Sequence, residues 1–434
     1  MDPLMVGTIG LGILVLLLIV GMPIGISMLL VGFGGLWINI GGEAALDTLG
    51  RAPASHLRLY PLLAIPLFIT MGYLSEAAGY SRDAFHAARH WIGMLRGGLA
   101  MGSVAGCAMF AAASGSSTAT AAAVGKIAIP EMMKLGYKPE LAAGSVASAG
   151  TLGIMIPPSI PLVIYAVIAK QSIAKLLLAG IVPGILLALA FTLTIVIWVK
   201  LRPDAAPGVY ESTWPLRLKA VQGLIGIASL ILLVIGGIFF GVWTPTEASA
   251  GGAFGALVLG LAQRRMGVRE VYGALKEAAT TISSITIILL GSLFLSQFIA
   301  VTGLAFWTAN FLAESDLPLW LFFVGITCAY LILGAFMDGL SFMLLTVPLV
   351  LPSLEPMGLS PIWFGVYITL MIELGLITPP VGTTVYVTKS VIPELQLGQI
   401  FRGIIPFFFA ALTVSVIIFY FPQIALWLPE LMSR

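Results

Sequence analysis

The polar residues that could do chemistry in this chain are few. They stand in two clusters inside otherwise apolar sequence: Ser114-Gly115-Ser116-Ser117-Thr118, and Asp338-Gly339 with Ser341 two residues on. A segment that merely crosses a membrane has no reason to carry such a cluster, because each unsatisfied polar group in hydrocarbon is costly. Hydroxyls, freed carbonyls and one carboxylate form an oxygen-only donor set that suits a hard cation. Helix-end carbonyls can coordinate Na⁺ while helix N-termini face an anion. Other chemistries lack their residues. Gly125-Lys126 is followed by Ile127, so there is no Walker A loop, and no Ser/His/Asp set, CxxC or HExxH is present. The sequence therefore does not describe an enzyme.

The two clusters are copies of one unit. At a constant offset of 222 residues, Ser116 falls opposite Asp338, Pro130 opposite Pro352, Gly136 opposite Gly358 and Pro139 opposite Pro361. The same offset pairs Gly153 with Gly375 and Pro157-Pro158 with Pro379-Pro380, and one residue of slip pairs Gly180-Ile181-Val182-Pro183 with Gly403-Ile404-Ile405-Pro406. Duplicated hydrophobic halves interrupted by Gly and Pro at corresponding places point to a transport site.

Composition sets the class. The chain is 59% hydrophobic and 9% charged with mean hydropathy +1.07, against about 25% charged in soluble domains. The apolar stretches have helix length and do not alternate as barrel strands do. The expected fold is an all-α polytopic membrane protein, and the bilayer is its first partner. Net charge +2 gives no basis for a nucleic-acid partner. Cys107 and Cys328 lie in apolar surroundings and are expected in the core.

The elements that must position the clusters follow from the pattern. Residues 1–4 lack a basic n-region and the apolar run outlasts an h-region, so the first helix is expected to stay. Spans are expected at 5–21 and 23–40, followed by a polar arm over 41–58 with Glu43, Asp47, Arg51 and His56, compatible with an interfacial helix. A span at 61–78 precedes an amphipathic segment, 81–93, in which His86 and His90 have i, i+4 spacing. Without a Glu between them they are expected to be interfacial residues rather than a metal site. Stretches 99–113 and 118–132 are each about 22 Å of helix, too short for a core of about 30 Å, and so form a re-entrant hairpin with the Ser-Gly cluster at its tip. The helix over 140–169 must break at Gly150-Thr151-Leu152-Gly153 and Pro157-Pro158-Ser159-Ile160-Pro161. The pattern returns with an arm at 268–277, a span at 281–301, a hairpin over 319–351, a broken helix over 361–389 and a last span at 404–426.

This gives domains of 1–60 (scaffold and arm), 61–199 (transport part of the first half), 200–220 (linker), 221–280 (second scaffold and arm) and 281–434 (second transport part). Basic residues in the linker and at Arg264, Arg265 and Arg269 place both in the cytoplasm. An odd span count per half then makes the repeat an inverted one, with the N-terminus outside.

Five motifs in order carry a family resemblance: Ser114-Gly115-Ser116-Ser117 before an alanine-rich helix, Gly153-x-x-Ile156-Pro157-Pro158-Ser159-Ile160-Pro161, Gly180-Ile181-Val182-Pro183-Gly184, Thr244-Pro245-Thr246-Glu247-Ala248 and Pro379-Pro380-Val381-Gly382. From about residue 23 to 406 the chain resembles the large membrane subunit of a tripartite ATP-independent periplasmic (TRAP) transporter. The resemblance implies an elevator-type, sodium-coupled importer in the bacterial inner membrane, fed with a small organic acid by a periplasmic substrate-binding protein and accompanied by a small four-helix membrane subunit.

The resemblance also implies Na⁺ sites. The first comprises Ser114, Ser116, Gly153, Ile156 and Pro158; the offset of 222 carries it to Asp338, Gly375, Thr378 and Pro380. Ser117, Thr118, Ser159, Gly339, Ser341, Thr383 and Thr384 are candidates for substrate contact. Glu373 and Lys126 have no settled role, and no arginine at a tip or break names a carboxylate clamp. The glycine-rich scaffold spans, with Gly32, Gly34, Gly35, Gly251 and Gly252, offer a packing face for the small subunit. A self-sufficient sodium-dicarboxylate symporter or an anion antiporter of related hairpin architecture is the alternative.

Overall fold

Proline and glycine punctuate the apolar runs, and the helices begin and end where they stand. The computed structural model describes residues 2–57, 59–314 and 318–432, which form helices and turns without strands. Arg58 and the side chain of His56 lie outside the described residues. The first half comprises α1 (Pro3–Ile19), α2 (Ile24–Ile40), the arm α3 (Gly42–Leu57), α4 (Ala64–Ala77), α5 (Tyr80–Ile92), α6 (Gly98–Ser114), α7 (Ser117–Lys134), α8 (Pro139–Gly150), α9 (Ile160–Ile168) and α10 (Ile173–Leu201). The second comprises α11 (Trp214–Gly223), α12 (Ile225–Ile231), α13 (Gly237–Phe239), α14 (Pro245–Ala262), α15 (Val268–Val301), α16 (Leu304–Glu314), α17 (Leu319–Phe336), α18 (Gly339–Leu354), α19 (Pro361–Ile377), α20 (Thr383–Val391), α21 (Leu397–Tyr420) and α22 (Gln423–Met432).

The two halves interlock by exchange. α2 of the first packs along α15 of the second, and α14 of the second along α4 of the first. Glycines make this possible. A Cβ on Gly32 would lie 2.5 Å from the Leu295 amide nitrogen, and one on Gly291 2.2 Å from the Gly25 carbonyl oxygen. Close backbone packing matters here because lipid offers no hydrophobic force to hold helices together. Most of the glycines expected to face a partner subunit are thus used inside the chain: Gly35 against Phe298, Gly251 against Trp243 and Gly252 against Met71. Of that set, Gly34 alone has open space beside it.

Several boundaries differ from the sequence reading. The arm at 268–277 and the span at 281–301 are one helix of 34 residues, α15, since no proline divides them. The first helix of the second scaffold part, expected from residue 221, begins at Trp214 and bends by 44° near Leu224. The irregular linker shrinks to 202–213 accordingly. The last span starts at Leu397 and stops at Tyr420, ahead of Pro422. Cys107 is buried, but Cys328 is exposed on the outer face of α17 and is not a core residue.

The face that carries the linker and the loop over 264–269 is held by charge. Arg265 pairs with Asp83, Arg89 with Glu131 and Lys138 with Asp204. The Lys138 bond also holds the Asp204 carboxyl below the usual carboxylate range. The linker is pinned rather than free: the Lys138 amide donates to Ala205 O at 3.0 Å and the Tyr210 amide to Gly93 O at 2.9 Å. The Arg89 guanidinium stacks 4.8 Å from the Tyr210 ring centroid. His90 turns its Nδ1 to Ser212 Oγ at 2.9 Å, and no metal-binding cluster of His, Cys, Asp or Glu occurs among the described residues.

Candidate cation sites at the hairpin tips

The first hairpin returns to the face it leaves. At its open end the Leu99 amide donates to the Tyr137 hydroxyl at 3.4 Å, so the start of α6 and the turn after α7 lie level. At the tip, α6 ends on Gly115 with φ 63, a left-handed conformation that disfavours any side chain. A Cβ there would also stand 2.6 Å from Pro158 O. Ser116 then caps α7, its Oγ accepting from the Ala119 amide at 3.4 Å. Across from it Gly153 approaches so closely that a Cβ would lie 2.5 Å from Ser116 O. Two glycines, one on each side, let the tip and the helix break meet backbone to backbone.

The oxygens of this junction divide into used and free. Thr120 Oγ1 donates to Ser116 O at 2.7 Å and lies 2.8 Å from Ser114 Oγ, while Ser117 Oγ donates to Thr151 O at 3.1 Å. The carbonyls of Ile156 and Pro158, freed by the prolines, accept no hydrogen bond among the described residues. The structure therefore joins Ser116 to Gly153 and sets Pro158 against the tip between Ser114 and Ser116. All the donors are hard oxygens, which fits a sodium ion.

The second junction is not a copy of the first. Asp338 caps α18, with Oδ2 accepting from the Ser341 amide at 3.1 Å and Oδ1 from the Ser341 hydroxyl, and its side chain stays exposed. Gly375 does not meet the Asp338 backbone, as the offset predicts. It packs on Gly334, four residues earlier on α17, where a Cβ would lie 2.9 Å from Gly334 Cα. The contact is shifted by one helical turn. Gly375 O accepts from the Thr378 amide at 3.2 Å, and Thr378 Oγ1 donates to Leu374 O at 2.6 Å. The carbonyls of Thr378 and Pro380 accept nothing among the described residues. Among the described residues no hydrogen bond links Asp338 to the break, and Pro379-Pro380 is exposed where Pro157-Pro158 is buried. The carboxylate and free carbonyls are hard oxygens that still suit a cation.

The substrate candidates separate by what their side chains already do. Ser117, Ser341 and Thr384 are buried and donate within the chain, Thr384 to Leu376 O at 2.9 Å. Ser159 caps α9, accepting from the Leu162 amide at 3.3 Å while donating to Ile154 O. Gly339 is a packing position, since a Cβ there would lie 2.1 Å from Ile372 Cγ2. Thr118 is exposed beside the tip, and the Thr383 hydroxyl has no partner among the described residues. Glu373 is 1% exposed, and neither carboxyl oxygen has a hydrogen-bond partner among the described residues. Its helix, α19, packs against the 3₁₀ turn Thr151–Ile154 of the first break. Lys126 is exposed on α7.

Two residues escaped the sequence reading. Thr120, four residues after Ser116, braces the tip from inside α7, a position its i, i+4 spacing reveals. Gly72 on α4 admits the other side of the tip, as a Cβ there would lie 2.5 Å from Ser114 O. Nothing in the sequence singles it out.

An interlocked inverted repeat whose re-entrant tips meet broken helices defines a membrane transport protein. Residues 11–424 match the family model described as the DctM component of the tripartite ATP-independent periplasmic transporter, and the chain belongs to that family as a large permease subunit, not an enzyme. It is 36% identical over 374 residues to the C4-dicarboxylate TRAP transporter large permease protein DctM of Pseudomonas aeruginosa, covering 86% of each chain. It is 31% identical over 417 residues to the isethionate TRAP transporter permease protein DctMQ of Oleidesulfovibrio alaskensis, covering 96% of this chain and 65% of that one. The YdaH transporter of Alcanivorax borkumensis shares the fold, with a TM-score of 0.61 at 15% identity over 88% of this chain and 90% of that one.

Proposed function

We propose that this chain imports a small organic acid across the bacterial inner membrane, driven by sodium and supplied by a periplasmic binding protein. The observation that carries the reading is the meeting of hairpin tip and helix break in the first half, where the free Pro158 carbonyl stands against the tip between Ser114 and Ser116, with the Asp338 carboxylate at the corresponding tip of the second half. Such oxygens hold a cation and offer nothing to a nucleotide or a covalent intermediate. The helices around the tips form one body: α20 of the second half packs on α7 of the first, and α9 of the first on α18 of the second. Sliding of that body against the interlocked α2–α15 and α4–α14 pairs is an elevator.

The relatives' names support an organic anion as cargo, C4-dicarboxylate in one and isethionate in the other. The DctMQ protein extends beyond the match by 100 − 65 = 35% of its length, room for a fused small membrane subunit. A small four-helix membrane subunit is the second partner proposed for this chain.

The test is uptake of labelled succinate and isethionate into liposomes holding the chain with its small subunit and binding protein. Uptake should require an inward sodium gradient and all three proteins. Full sodium-dependent uptake by the chain alone would replace the tripartite reading with a self-sufficient symporter.

A further inference from the structure

Opposite the basic cytoplasmic face the structure holds two adjoining hollows, of about 540 Å³ and about 420 Å³. They share Leu59, Val167 and Lys170. Their side of the membrane follows from α10, which starts at Ile173 beside them and ends at Leu201 in the cytoplasmic linker. Its 29 residues cover about 43 Å, more than the hydrocarbon core. The hollows therefore open on the periplasmic side, between the end of α9 in the moving body and α15 in the scaffold.

Lys170 is unusual in three respects. It stands on the face that the positive-inside rule leaves poor in lysine and arginine. Its backbone is left-handed, φ 51, which costs energy for a residue with a side chain. Its ammonium makes no ion pair or hydrogen bond among the described residues. Across the larger hollow, Ser296 and Gln297 present side chains that are likewise without partners among the described residues, on a wall otherwise made mostly of leucines. No acidic residue among the described residues lines either hollow. An ammonium in a mostly apolar cleft, faced by an amide and a hydroxyl able to donate, recognises a carboxylate or a similar small oxyanion. The tips have the opposite character, since their free groups are acceptors.

We propose that Lys170, with Ser296 and Gln297, forms an entry subsite for the carboxylate of the organic-acid substrate, separate from the cation sites at the tips. The anion released on the periplasmic side lands there before the body moves. This rests on the import reading above. An anionic lipid headgroup would satisfy the same chemistry, and the test separates the two.

The complete complex, carrying Cys328→Ala and Ser296→Cys, is reconstituted in phosphatidylcholine vesicles. The introduced thiol is modified with an anionic sulfonatoethyl and a cationic trimethylammonioethyl methanethiosulfonate. Lys170→Gln should lower the anionic-to-cationic rate ratio by at least about threefold, the effect of one nearby unit charge under partial screening, and succinate should slow modification only when Lys170 is present. In a Ser296-containing complex, Lys170→Gln should raise the KM for succinate uptake about tenfold, the worth of one charge-assisted hydrogen bond. Lys170→Arg should restore it, and kcat should stay near that of the parent. An unchanged rate ratio in Lys170→Gln overturns the subsite. Protection by added phosphatidylglycerol but not by succinate overturns it too, in favour of a lipid. Absence of any organic-acid uptake by the parent complex would instead overturn the import reading, and the labelling ratios would still decide the subsite.

Discussion

Gly153 lacks a side chain because the carbonyl of Ser116 occupies the space one would take. Gly153→Ala must push the tip away from the break, at an overpacking cost of about 1–3 kcal/mol. Sodium-driven uptake should fall by roughly tenfold or more with the protein still in the membrane, as uptake and quantitative blotting would show. Asp338 has two tasks that substitution can separate. It caps α18 through the Ser341 amide, and a cap is worth about 1 kcal/mol, so Asp338→Ala should lower Tm while Asp338→Asn should not. Both should abolish sodium-driven uptake if the carboxylate holds the second ion; uptake with unaltered sodium dependence in either would sink that assignment. Glu373 is different in kind, a buried acid with neither oxygen partnered among the described residues. A bare charge there is unaffordable without an accompanying cation or proton. Glu373→Gln, which preserves shape, should express and melt like the parent, whereas Glu373→Arg should not yield folded protein in size-exclusion chromatography.

At the scale of elements, the first hairpin is the part that can report motion. Ser117 is buried and bonded to Thr151 O across the junction, so it monitors the junction rather than solvent. Thr118, one residue on, is exposed. In a Cys328→Ala background, Thr118→Cys should change its rate of modification by an impermeant thiol reagent when sodium, binding protein and succinate are supplied. Ser117→Cys should react slowly throughout. Equal labelling of Thr118→Cys under every condition would argue for a static pore.

For the whole molecule, the exchange of α2 and α14 between the halves makes the scaffold one object, and its glycines separate inner from outer faces. Gly252 meets Met71 and Val234, whereas nothing lies within 4 Å of a Cβ placed on Gly34. Gly252→Leu should therefore destabilise the chain itself and lower its Tm. Gly34→Leu should leave the chain stable yet weaken co-purification of the small subunit in detergent. Loss of the subunit from Gly252→Leu at unchanged Tm would reverse the two faces.

The sequence by itself determined the class, the duplication and most helix ends, because these rest on local physics. Apolar runs of membrane length, prolines that cannot donate and glycines that turn left-handed act where they stand. It also marked the tips, since Ser114-Gly115-Ser116 and Asp338-Gly339 are polar where polarity is costly. The motifs beyond those local signals brought the family into view. Only the tertiary structure decided what the polar groups face. Ser159 and Thr384 carry hydroxyls like that of Thr383, which has no partner among the described residues, but theirs are spent inside the chain, Gly375 meets Gly334 rather than the tip, and Gly72 serves a hairpin more than forty residues away in sequence. Nothing in the sequence singles out Lys170; the packing of α15 across the hollow from it does. Spacing along a chain fixes which residues share a helix face, whereas the partner of that face comes from packing between elements far apart in sequence.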